Sequence, residues 1–147
     1  MRWFLAIMAA LSAGCTFDRY PSRVDVSKQT VVSFLIRYTR VQTEAFELRS
    51  EYDQNLAPQR GSILWPALDR EYLNVRSYLY TCQFDISRAA FKVGCTPEPG
   101  SGMRLAFYID ETRSLRLSAD GAAGPDSPRL RLSSNEEEEL LGRHKPH

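Results

Sequence analysis

Residues 81–95 read TCQFDISRAAFKVGC, two strand-like runs either side of Ser87 to Ala90, and the register in which they pair decides the fold. Pairing outward from that four-residue loop sets Ile86 against Phe91, Phe84 against Val93 and Cys82 against Cys95, all on one face. The other face receives Asp85 opposite Lys92 and Gln83 opposite Gly94. One register thus yields an apolar face, a cross-strand charge pair and two opposed cysteines. A slip of one residue loses all three.

Downstream, a loop ThrProGluProGlySerGly leads into LeuAlaPheTyrIleAsp, a turn, and SerLeuArgLeuSerAlaAspGly. Pairing across this turn brings Ile109 to Leu115, Phe107 to Leu117 and Leu105 to Ala119, so the sheet is expected to be an antiparallel meander of four strands. Upstream, Ser27 to Leu56 contains no Gly or Pro, and apolar residues recur at Phe34, Tyr38, Val41, Ala45, Leu48, Tyr52 and Leu56. This four-three spacing predicts an amphipathic helix about 45 Å long, capped by Ser27 and stopped by Pro58 and Gly61. Tyr38, Ala45 and Tyr52 are indifferent choices for a coiled-coil seam, so the stripe is read as facing a core. Glu44, Glu47 and Glu51 then fall on a solvated face. Pro66 suits a first helical position, and Ala67 to Leu73 follow as about two turns, with Trp65 and Leu68 covering the core. A long helix, a connection and four antiparallel strands make an α+β fold, the N-terminal helix packed on one face of a roughly four-stranded sheet.

The 147 residues, 43% hydrophobic and 25% charged, suit one globular domain with one modest core. A formal net charge of +1 and the lack of a basic stripe speak against nucleic acid as a partner. The first residues, MRWFLAIMAALSAGC, place one positive residue, Arg2, before an apolar run and then the small residues Ser12, Ala13 and Gly14. Residues 1–14 read as a signal peptide, too short for the roughly 20 apolar residues of a membrane span. Leu11 to Cys15 resembles the bacterial lipobox, with Ser12 departing from its usual pattern. That resemblance implies acylation of Cys15, an anchor holding the chain to the membrane through lipid, and residues 15–26 as the tether. Thr16 after the cysteine resembles an outer-membrane address, which puts the domain in the periplasm. Setting Cys15 aside leaves Cys82 and Cys95 in an oxidising compartment, already opposed by the hairpin register, and a disulfide follows. A redox pair or a metal site fits less well, because catalytic cysteines favour a CxxC turn and a metal needs more ligands.

The stretch from PheLysValGlyCysThrPro through PheTyrIleAspGluThr to LeuSerAlaAspGly, AlaGlyPro and SerPro resembles the C-terminal half of type IV pilins and type II secretion pseudopilins. In that family a long N-terminal helix leads into an antiparallel sheet. The resemblance implies a pilin-like domain at 27–120, a cell-envelope role and partners among pilus or secretion-system proteins. Two departures stand out. The family usually has Gly where Arg113 sits, so a residue with a side chain must take a left-handed conformation there or the turn is built differently. The family's roughly 20-residue apolar polymerisation segment is replaced here by the lipobox, so the expected protein is tethered by lipid.

Residues 121–147 read as a flexible tail, too polar to add to a core, with four glutamates at 136–139 and the histidines His144 and His147. Two solvated histidines make a poor metal site, and no histidine inside 27–120 can serve a serine or carboxylate as base, so no catalytic residue, cofactor or metal is expected. Asp110 and Asp120 with Gly121 are the candidates for a calcium loop, turn capping being the competing role. The function expected is a lipid-anchored structural or interaction module. A periplasmic small-ligand-binding lipoprotein is the alternative, and it would need a concave pocket.

Overall fold

The computed structural model describes residues 23–57 and 66–132. Among the described residues six elements follow one another: α1 (Arg23–Arg49), α2 (Pro66–Ser77), β1 (Tyr80–Ile86), β2 (Phe91–Pro97), β3 (Ala106–Asp110) and β4 (Arg116–Ser118). The strands form one antiparallel sheet in the order β1-β2-β3-β4, with the long helix packed against it. The expected α+β architecture and meander are both present.

The first hairpin has the register read from its sequence, Cys82↔Cys95, Phe84↔Val93 and Ile86↔Phe91, and it runs on to Tyr80↔Pro97. Ser87 closes the turn, its N–H donating to the carbonyl of Ala90 at 2.8 Å while its hydroxyl accepts the Ala90 N–H at 3.1 Å. In the second hairpin Phe107 opposes Leu117, as expected, but β4 keeps only three residues. Arg113 does take the left-handed conformation, φ 62°, and donates its N–H to Asp110 O at 2.9 Å. A Cβ is unfavourable there, which is why glycine is the usual occupant of such turns.

The long helix differs from its expected bounds at both ends. It begins at Arg23, so Ser27 is not its cap but a buried residue of the second turn, whose hydroxyl lies 3.5 Å from Met103 Sδ. The proposed tether 15–26 therefore includes the first four helical residues. It ends at Arg49, not Leu56. Ser50 turns left-handed (φ 57°) and its N–H donates to Phe46 O at 2.7 Å, a C-terminal stop sealed by the Phe46 and Tyr52 rings at 4.7 Å.

The reason for the early stop is a polar residue the apolar pattern passes over. Gln42 is 0% exposed, and its side-chain amide behaves like a strip of backbone. Its Oε1 accepts the Asp53 N–H at 2.8 Å, and its Nε2 donates to Asp53 O at 3.0 Å. The Tyr38 hydroxyl accepts from the same Nε2 and donates to Leu56 O at 2.6 Å. Residues 50–57 are thereby folded back along α1. Leu48, expected in the core stripe, is 86% exposed, while Val31, Leu35 and Thr39 join Phe34 and Tyr38 on the buried face.

The second helix starts at Pro66 as expected but continues to Ser77, adding Val75 to the core. Leu68 is buried, and Trp65 lies outside the described residues. Arg37 of α1 and Glu71 of α2 pair at 2.6 Å. Above the sheet, Phe34 packs between Tyr72 (5.5 Å), Tyr38 (6.1 Å) and Phe84 (6.2 Å).

The largest difference lies beyond Asp120. The Leu117 N–H donates to Pro128 O at 3.0 Å, the Leu130 N–H donates to Leu115 O at 2.8 Å, and Arg116 is bridged directly to Arg129. Leu130 and Leu132 pack against the core. Residues 124–132 are thus part of the domain and not of a tail, because the outer edge of β4 offers backbone groups that must be satisfied and two leucines at alternate positions reach the inner face. Residues 133–147 lie outside the described part.

Candidate functional site

Of the residues singled out in the sequence, Cys82 and Cys95 are the pair the fold joins. They form a disulfide with Cα atoms 4.0 Å apart, both fully buried on the sheet face that meets α1. Buried sulfurs beneath a helix suit a structural bond, since redox cysteines need access. Cys15, His144 and His147 lie outside the described residues.

Asp110 and Asp120 are not brought together. Asp110 stands at the turn end of the second hairpin, while Asp120 follows β4 at its open end. The Asp110 carboxylate is spent on its own turn: Oδ1 accepts the Thr112 N–H at 3.0 Å and the Thr112 hydroxyl, and Oδ2 accepts from the Tyr108 hydroxyl at 3.1 Å. It caps a turn. Among the described residues no group of three or more His, Cys, Asp and Glu could hold a metal ion.

What the topology does assemble is the outer face of the sheet, opposite α1. Residues paired across an antiparallel sheet share a face, so Gln83, Gly94, Tyr108, Arg116 and Arg129 form one row across four strands and the added edge segment. Asp85, Lys92 and Asp110 form the next, with Asp85 and Lys92 paired at 3.4 Å. Tyr108 is 7% exposed. Burial pushes its phenol up to about 12, and the neighbouring carboxylates of Asp110 and Glu111 add to this against the opposing pull of Arg116. The phenol is a hydrogen-bond donor at any physiological pH.

Charge is divided across this face. The β1–β3 half carries Asp85, Lys92 and Asp110, whereas the β4 edge carries Arg116 and Arg129 opposite one another, with Arg131 two residues along. Arg116 donates from Nη1 to Ser127 O at 2.7 Å. The polar composition of residues 121–147 hides this edge in the sequence, because the segment that builds it belongs to the expected tail. The signal available was the alternation Arg129-Leu130-Arg131-Leu132, a two-residue period typical of a half-buried strand.

A second polar group lies between the helices. Burial raises the Glu71 carboxyl above its ordinary range, opposed by the Arg37 guanidinium, and neither Glu71 Oε2 nor the Tyr72 hydroxyl has a hydrogen-bond partner among the described residues. Among the described residues no helix is long and apolar enough to cross a membrane. No family model, no curated protein and no solved structure matches this chain.

Proposed function

We propose that this chain is a lipid-anchored structural or interaction protein of the bacterial cell envelope, its domain pilin-like and accessory to pilus or type II secretion machinery. The observation that carries the reading is the order of parts: a leader ending in a lipobox-like cysteine, a long helix, and an antiparallel meander whose first hairpin is closed by a disulfide. A disulfide in a domain this size suits an oxidising compartment. The polar outer sheet face is the surface offered to a partner.

Processing and partners are tested separately. Inhibition of the lipoprotein signal peptidase by globomycin should leave a precursor longer by residues 1–14, and Cys15→Ser should abolish labelling by a palmitate analogue. A wild-type chain that takes up no label would remove the anchor from the reading. Crosslinking in intact cells, followed by isolation of the chain, should recover pilus or secretion components. Recovery of none, with labelling intact, would remove the partner and leave the anchor.

A further inference from the structure

We propose that the acidic run Glu136–Glu139 docks on the outer sheet face against Arg116, Arg129 and Arg131, giving the domain an intramolecular counter-charge. Arg116 and Arg129 stand directly opposite one another, a like-charge pair that costs stability in a sheet unless something neutralises it. Leu130 and Leu132 pack on the core, so Arg129 and Arg131, both exposed, project to the other face beside Arg116. Among the described residues no carboxylate lies within ion-pair distance of these three.

The occupant is argued from charge and from length. Four consecutive glutamates begin at residue 136, four positions beyond Leu132, and four extended residues span at most about 14 Å. Arg116 is one strand spacing, about 4.8 Å, from Arg129. Ser133, Ser134 and Asn135 are turn-forming types, so the run can reverse and lie over the arginines. Tethering places it at an effective concentration in the millimolar range, so a weak contact is populated and any external acidic partner must displace it.

A double-mutant cycle in the whole chain carrying Cys15→Ser tests this. One arm replaces Glu136–Glu139 by Gln, the other is R129Q/R131Q, and Arg116 is kept because it also bonds Ser127. In ~20 mM salt each arm should lower the thermal midpoint by about 3 °C and speed exchange of the Leu130 amide, and the combined variant should fall no further than either alone. Near 1 M salt, where screening acts within about 3 Å, the losses should vanish. Additive losses, or losses indifferent to salt, would overturn the proposal. So would a silent glutamate arm with a raised midpoint in R129Q/R131Q, since the arginines would then stand uncompensated as guards of the sheet edge. Arginine-dependent binding of the intact chain to phosphatidylglycerol vesicles, with an additive cycle, would also overturn it by making lipid headgroups the occupant.

Discussion

Tyr72 is 6% exposed, its ring lies against Phe34 and Phe84 at 5.5 and 5.7 Å, and its hydroxyl has no hydrogen-bond partner among the described residues. The ring contributes to the core while the oxygen detracts from it, since an unsatisfied buried hydroxyl costs about 1–3 kcal/mol. Tyr72→Phe should therefore stabilise the domain by about 1 kcal/mol, read as a raised midpoint in thermal or urea unfolding. A loss on this change would mean that the hydroxyl is satisfied. Gln42 is the opposite case. It is as buried as any leucine, yet both ends of its amide are bonded to the backbone of Asp53, so the polar group holds a loop in place.

At the scale of elements, the edge of the sheet at β4 is covered by a segment that joins it through a single bridge and two flanking hydrogen bonds. Truncation after Gly121 removes both ladder bonds to β4 and the two leucines, whereas truncation after Leu132 leaves them in place. The first should cost about 2 kcal/mol more than the second, from two lost backbone hydrogen bonds and partial exposure of apolar side chains. Chemical denaturation of the two truncated chains side by side, neither of which carries the acidic run, measures the difference. Equal midpoints would put residues 122–132 outside the cooperative unit. The first hairpin shows the converse. Its disulfide joins residues 13 apart in sequence, a loop closure that lowers the entropy of the unfolded chain by an amount corresponding to about 3 kcal/mol.

The whole molecule has an alkaline limit written into three of its phenols. Burial raises Tyr38, Tyr80 and Tyr108 above the ordinary value of 10.0, Tyr108 to about 12 with help from Asp110. A group whose folded pKa is raised contributes stability in its protonated form. That contribution is complete below about pH 10 and is lost as pH climbs towards 12 and beyond. Alkaline titration should show these phenols resisting ionisation until the fold opens, with tyrosinate absorbance and loss of circular dichroism rising together above pH 10. Ionisation of more than four of the seven tyrosines with the helix signal intact would contradict the burial. Glu71, also raised, acts in the same sense in acid: its contribution is present below the ordinary carboxyl value of 4.5 and fades as pH rises through the folded value.

The sequence by itself determined the first hairpin, pair by pair, because strand alternation has a period of two and only one register put Cys82 opposite Cys95 with Asp85 beside Lys92. It also determined the meander order and the Pro66 helix start, each set by residues close in the chain, while at Arg113 it left two turn geometries open, of which the structure takes the left-handed one. Only the tertiary structure decided where α1 stops. The apolar spacing runs on through Leu48, Tyr52 and Leu56, and the return of residues 50–57 depends on Gln42 and Tyr38 meeting backbone groups 11 and 18 residues away. It likewise decided that 124–132 joins the sheet, since the free edge of β4 exists only after the second hairpin has formed. The arginine edge follows from that placement, because Arg116 and Arg129, distant in sequence, become neighbours only when the last segment is hydrogen-bonded to β4.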